Sequence, residues 1–557
     1  MSAIQESVQP RVPFAARVER LATRKNAVRA LVAAALFGIA IFVIRPTFPN
    51  YDSYYDLVWG KALAHGHLPD YNVLRSPTPH PLAEALAAFL TLFGGAADRI
   101  FVLITIASFL GLLVCVFRIT QLLLGTLIAG VAVLILLTRT DLDFYAMRAV
   151  VDIPFLLLVF WAALLELEHP RRGLPVLGLL TLAGLLRPEA WVFAGVYWLW
   201  LAPALTRRQL VLCAGVVALA PVLWAASDWI ITGHPLHSLT STRDVAGQFG
   251  RQRSVPKAIS LIPDYLGANE KIVNFGVGGL GCLIGVYILR RRVAIPAALV
   301  GIGLALFLVI AAAGLSVIPR YLAVPSIVMN VGVGVALLGW TLIREPRARL
   351  VAMALAVLSL GLLAWRSVSL VSDLRKLHGQ TLFVKHQHQD LKGILQDASV
   401  APLLGRCGPI TVPTHSAIPV IEYETGLPKS AIQASIAQKR PPDRGLLFIG
   451  ANFNFEPAAQ RAVTASSESS ARQWWSNYPL STFTYVASNP FWRVYARCGP
   501  APAGARSSAR LATPSARSSR ARGRSRSARG RAGLGRAAAP RSARCAPRRT
   551  PPAPQCG

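Results

Sequence analysis

The segment FPNYDSYYDLVWGKALAHGHLPDY places Asp52 a few residues beyond the end of an apolar run, walled by Tyr51, Tyr54 and Tyr55. A carboxylate in that setting has its charged form penalised and suits a general base. The competing reading is a helix N-cap, because Asp52 precedes an apolar helical stretch. Asp56, one turn on, reads as a solvated or structural partner, and Tyr55 as a candidate substrate contact. His80, in the turn TPHP, either meets a phosphate or shapes the turn.

A second polar segment, TRTDLDFYAMRAVVDIP, offers Asp141, Asp143, Arg148 and Asp152. Asp143 and Asp152 are candidate substrate contacts, and capping competes for Asp152 because it stands just before Pro154. Carboxylates gathered near one cavity also suit a divalent cation such as Mg or Mn. Their spacing is not specific for one, so no metal ligand is assigned. In LLRPEAW, Arg187 and Glu189 either contact substrate or bridge each other across a helical hairpin. In VIPRYL, Arg320 presents a guanidinium able to grip a phosphate with two parallel hydrogen bonds, against the alternative of snorkelling at an interface. A further stretch, TGHPLHSLTSTRDVAGQFGRQR, carries His234, His237, Arg243, Arg251 and Arg253. It suits an anionic lipid headgroup, with His234 and Arg243 as contacts, or lipid adhesion alone. Pro235 disfavours a helical metal pair between the two histidines.

The elements that must position these groups are set by composition. The 557 residues are 53% hydrophobic and only 15% charged, with a mean hydropathy of +0.46, which excludes an ordinary soluble globular protein. Apolar runs recur at 29–45, 100–117, 119–137, 154–167, 174–186, 189–206, 209–231, 274–290, 294–316, 321–343 and 349–366, giving about eleven spans of a polytopic helical membrane protein. A further run, 82–95, is ambiguous. The N-terminus is basic, with Arg11, Arg17, Arg20, Arg24, Lys25 and Arg29, so the first span runs outward from the cytoplasm. If 82–95 lies along the interface, the basic turns 171–172, 207–208, 290–292 and 344–349 all fall inside; if it spans, all fall outside. Charge therefore selects an interfacial helix. The outer loops are then 46–98, 138–153 and 232–273, and the chemistry-bearing groups share one side of the membrane.

The chain divides into a cytoplasmic basic N-terminus (1–28), a transmembrane domain (29–368), an extracytoplasmic α/β domain (369–498) and an Arg/Ala/Ser/Pro-rich tail (499–557). Short alternating runs such as PITVP, GLLFIGANF and FTYVAS mark the α/β domain. His415, Glu422 and the Trp474-Trp475 pair are candidates for a binding surface there, with core packing the alternative for at least one tryptophan. Cys407 and Cys498, each in an RCGP tetrapeptide, either pair in an oxidising compartment or stay free and buried. The tail has little to bury and is expected to be disordered. The net charge of +32 does not imply a nucleic-acid partner. Fourteen arginines and no acidic residue lie beyond Pro500, and much of the remaining excess flanks apolar runs.

Taken in order, Asp52, the YxxxWGKALAHGHLP-like helix, PTPHPL, a helix ending in Gly-Gly, FYAMRAVVDIP, LLRPEAW, TGHPLHSL and PRYL resemble the GT-C class of polyprenyl-phosphate-sugar-dependent glycosyltransferases. The nearest likeness is to the bacterial branch related to protein mannosyltransferases and lipid A aminoarabinose transferases, and it covers about 46–322. The resemblance implies inverting sugar transfer at the outer face of the plasma membrane, from a polyprenyl-phosphate donor to a glycan, lipid or protein acceptor. It also implies that Asp52 is the base, Asp152 the second-loop carboxylate and Arg320 the arginine that meets lipid phosphate. Ser53 stands where a paired acid is common, a departure from the family pattern that counts against metal dependence and against a firm assignment of the base; no cofactor is assigned, with a divalent cation (Mg or Mn) the candidate. A transporter or flippase for a lipid-linked intermediate would predict internal repeats, and none is evident. A noncatalytic envelope assembly protein leaves the outer-facing charges without a reason.

Overall fold

The computed structural model describes residues 24–248, 254–437, 443–450 and 482–499. The N-terminus before Arg24, Arg251 and Arg253 of the third outer loop, the Trp474-Trp475 pair and the tail from Pro500 onward lie outside them.

All eleven apolar runs are helical. They form α1 (Arg24–Ile44), α4 (Ala97–Leu124), α5 (Thr126–Leu136), α7 (Asp152–Glu168), α8 (Leu174–Gly184), α9 (Glu189–Leu201), α10 (Arg207–Thr232), α13 (Ile272–Leu289), α14 (Ala294–Ala312), α15 (Ala323–Leu338) and α16 (Pro346–Leu395). Between them lie α2 (Tyr51–Ala64), α3 (Pro81–Leu90), α6 (Thr140–Met147), α11 (His237–Gln248) and α12 (Val255–Glu270). The chain is a polytopic helical membrane protein. By length and apolarity alone, five stretches of the described residues suffice to cross a membrane, or six if α6 and α7, bent by 112°, are one span. Helices such as α5 and α8, with 11 residues each, reach only about 17 Å, short of a hydrocarbon core of ~30 Å.

The breaks have local causes. Gly125 at φ 92° separates α4 from α5, and Gly94 at φ 54° parts α3 from α4. A capping box on Thr206 opens α10, and left-handed Gly233 closes it. Glycine also sets the closest helix contact. A Cβ on Gly281 of α13 would lie 1.6 Å from the carbonyl oxygen of Gly332 on α15, so these two backbones touch as only small residues permit.

The direction of α7 orders the bundle. Its first residue, Asp152, meets Arg187 and Arg320, while its last, Glu168, meets Arg118 at 3.3 Å. Near that second end, the Arg171 amide donates to Glu166 at 2.8 Å and Trp198 donates to the Leu210 carbonyl at 3.2 Å. Helix α15 repeats the pattern. Ser326, near its start, accepts from Arg139 at 2.7 Å, and beyond its far end Tyr287 of α13 donates to Glu345 at 3.4 Å. The basic turns thus gather at one end of the bundle and the Asp52, Asp152 and Arg320 group at the other.

One boundary differs from expectation. The last apolar run does not give way to a separate domain at residue 369; α16 continues as one helix to Leu395. Apolarity stops at the membrane edge, but helix propensity does not, and no proline interrupts before Pro402. Beyond α16, β1 (Ile410–Val412), α17 (Ile418–Thr425), β2 (Ile432–Ala434), β3 (Gly445–Gly450), β4 (Thr484–Ser488) and β5 (Trp492–Arg497) form a five-stranded sheet of order β2-β1-β3-β5-β4. β1 runs parallel to β2 and β3, and β5 antiparallel to β3 and β4. Cys407 and Cys498 are disulfide-bonded across this domain. The domain docks on the segment between α1 and α4. Arg75 lies 3.3 Å from His415, Tyr51 packs edge-on against His415 with centroids 5.1 Å apart, and Tyr54 meets Tyr423.

Candidate active site

The first turn of α2 is organised by Asn50, whose side chain accepts from the Ser53 amide at 2.8 Å. Asn50 is therefore the N-cap, and the capping reading of Asp52 is corrected: its carboxylate remains available, partly exposed in the first turn. The capping reading of Asp152 fails too. The residue at the cap of α7 is Val151, and no side chain bonds there.

Asp152 instead takes part in a buried ionic group. One of its oxygens accepts from Arg187 Nη1, and the other lies 3.7 Å from Arg320 Nη1. Arg187 also donates from Nη2 to Glu189 Oε1 at 2.6 Å and from Nε to the same oxygen at 3.2 Å. The Arg187-Glu189 bridge is therefore real, and it is joined to Asp152. The sharp turn at Pro188 makes this possible, because it ends α8 and starts α9 beside the first turn of α7. The Tyr321 ring covers Arg187 with its centroid 4.9 Å away, a cation-π contact that favours the planar guanidinium.

Arg320 closes the group. Its Nη1 stands 3.9 Å from Asp52 Oδ2 and 3.7 Å from Asp152 Oδ2, and its Nε is buried without a hydrogen-bond partner. Both ion contacts exceed hydrogen-bond length, so the guanidinium is held by charge between two carboxylates and can turn towards an incoming anion. A narrow cleft opens among Asp152, Phe155, Arg187, Glu189, Arg320 and Tyr321.

Beneath Asp52, Asp56 and His80 pair at 3.2 Å. Asp56 is fully buried, which corrects its reading as a solvated residue and leaves the structural one. His80 occupies the N-cap position of α3 without a side-chain cap bond. Burial pushes the Asp56 carboxyl up despite the pull of His80. Burial also draws His80 down, but the charge and hydrogen bond of Asp56 outweigh it and hold the imidazole above its ordinary value. Sequence reasoning missed the continuation of this pair: the His80 amide donates to Glu84 at 3.2 Å, and Tyr71 donates to Glu84 at 2.7 Å. A lone glutamate in PLAEALAAFL, four residues after His80, was the available signal.

The other candidates stand apart. Asp143 is half-buried on α6 and responds to Arg45 and Asp141. Asp141 is itself held by Arg139 through two bonds of 2.8 and 2.6 Å. Arg148 packs over Phe48 and Phe144. Tyr55 is buried against Trp59 and Tyr51, facing a second cleft shared with Leu74, Ile418, Lys429 and Gln433. His234 is exposed, in the turn between α10 and α11, and Arg243 lies on α11 beside Gly314; neither is among the residues lining the cleft. Among the described residues, no three His, Cys, Asp or Glu side chains are placed to hold a metal. The Arg320 guanidinium stands between Asp52 and Asp152.

No family model and no curated protein matches the chain. Among solved structures, it is similar to ArnT from Cupriavidus metallidurans, determined bound to undecaprenyl phosphate and in the apo state. Each has 13% identity and a TM-score of 0.48, covering 84% of this chain and 98% of the other. It is also similar to an Archaeoglobus fulgidus oligosaccharyltransferase tethered to an acceptor peptide, at 12% identity and a TM-score of 0.44, covering 86% of this chain and 74% of that one.

Proposed function

We propose that the chain is an inverting glycosyltransferase. It moves a sugar, hexosyl or pentosyl, from a polyprenyl-phosphate donor to an extracytoplasmic glycan, lipid or protein acceptor at the outer face of a plasma membrane crossed about eleven times. The observation that carries this reading is the placement of Arg320 between Asp52 and Asp152, at the bundle end opposite the basic turns. If the positive-inside rule holds, that end faces outward and the N-terminus lies in the cytoplasm.

The geometry supports one displacement. Asp52 accepts the proton of an acceptor hydroxyl, and that oxygen forms a bond to the anomeric carbon as the carbon-oxygen bond to the lipid phosphate breaks. The departing phosphate takes the electron pair, and Arg320 stabilises its charge. Asp152, fixed by Arg187, holds Arg320 in place. A lipid-linked donor suits this position because its tail stays in the bilayer while its phosphate reaches the interface. The test is sugar transfer in proteoliposomes supplied with a panel of polyprenyl-phosphate sugars, comparing wild type with Asp52→Asn. Transfer by wild type and its loss in the variant support the reading; absence of transfer by wild type with every donor overturns it.

A further inference from the structure

Two buried oxygens in the active-site cleft lack partners: Asp152 Oδ2 and Glu189 Oε2. Both residues line the cleft with Arg320, and Asp152 is only 2% exposed. A buried carboxylate oxygen without a hydrogen-bond donor is costly, and native structures rarely leave one without a reason. The companion oxygens are satisfied, since Arg187 bonds Asp152 Oδ1 and Glu189 Oε1. The unpaired pair is thus oriented by its own scaffold.

Arg320 lies 3.7 Å from Asp152 Oδ2, beyond hydrogen-bond length. When a phosphate draws Arg320 towards itself, Asp152 Oδ2 loses that partial compensation, and Glu189 Oε2 has no hydrogen-bond donor in either case. The geometry points to a sugar-recognition subsite in which Asp152 Oδ2 and Glu189 Oε2 accept hydrogen bonds from hydroxyl or amino groups of the donor sugar. This rests on the transferase reading and narrows it: the donor sugar presents hydrogen-bond donors to this wall, and a uronic acid, whose carboxylate would face two others, is excluded. Arg187 acts as a positioning residue, since it holds both carboxylates and does not itself need to reach the sugar.

The test measures binding to full-length Asp52→Asn protein in nanodiscs, so that affinity is read without turnover. The probes are polyprenyl phosphate, the same lipid carrying neutral or amino hexoses and pentoses, and the same lipid carrying glucuronic acid. At least one neutral or amino sugar lipid is expected to bind tenfold or more tightly than the bare lipid, with the glucuronic acid lipid weaker than both. Glu189→Gln, which replaces the unpaired oxygen with a donor while sparing Oε1, is expected to erase the sugar preference and keep bare-lipid binding. If that variant loses bare-lipid binding, the wild-type selectivity alone decides. Equal affinity for the bare, neutral, amino and acidic lipids overturns the subsite. Failure of bare polyprenyl phosphate to bind at all overturns the transferase reading beneath it.

Discussion

Arg320 Nη1 lies 3.9 Å from Asp52 Oδ2, too far for a hydrogen bond. The cation therefore stands beside the proposed base without neutralising it through a direct bond. This separation shapes the first prediction: Asp52→Asn should lower transfer by ~10²–10⁴-fold while donor affinity, measured in nanodiscs, stays within about threefold. Unchanged turnover would move the role of base to another carboxylate.

Arg320→Lys keeps the charge but loses the planar fork that meets a phosphate through two parallel bonds. The expected outcome is a rise in the donor KM with a fall in kcat, read from initial rates over a donor titration. Arg187→Ala should act differently. It leaves Asp152 and Glu189 as uncompensated buried charges, costing about 3–5 kcal/mol of stability, visible as a large drop in the thermal midpoint of the detergent-solubilised protein.

Gly281→Leu tests the tight helix pair. A Cβ there meets the Gly332 carbonyl oxygen at 1.6 Å, so α13 and α15 must separate, and overpacking of this kind costs ~1–3 kcal/mol or more. Loss of thermal stability together with activity is expected; a fully stable variant would show that the two helices do not pack this closely.

Glu422, on α17, has one buried oxygen without a partner, and burial, aided by Asp70, pushes its carboxyl up to about 7. An acid whose folded pKa exceeds its unfolded value binds more protons when folded, so its stabilising contribution is present at low pH and is lost as pH rises towards 7. Glu422→Gln should therefore leave the unfolding temperature unchanged below pH 4.5 and raise it by about 2 °C above pH 7. A variant that behaves like wild type at both ends would contradict the burial effect.

Much of this structure was legible in the sequence because the bilayer makes hydropathy informative. Each apolar run became a helix, and Arg187, Glu189 and Asp152 stood out because charge set in apolar sequence is costly and so demands a partner. What the sequence concealed was non-local. Asn50 takes the cap from Asp52 because the chain turns two residues earlier than apolarity suggests. His415 meets Arg75 across 340 positions, a distance at which no periodicity speaks. His234 and Arg243 share residue types with the site but lie in the turn before α11 and on α11, and type alone does not reveal where a loop carries its residues. The length of α16 was hidden for a different reason: the membrane edge changes which residues are favoured, while the backbone continues unchanged.

That continuity bears on how the molecule is made. Fifty residues of unbroken helix extend about 75 Å, and the domain at its far end returns to seat His415 and Tyr423 on the helix that carries Asp52. The first loop leaves the ribosome early, but the surface that covers its tyrosines is synthesised hundreds of residues later. We expect nascent chains halted before α17 to leave Tyr51 and Tyr54 open to protease, and protection to appear only once β2 has emerged. Assembly of this site is then a late event in biogenesis, timed by the domain that follows the last apolar helix and not by the first helix.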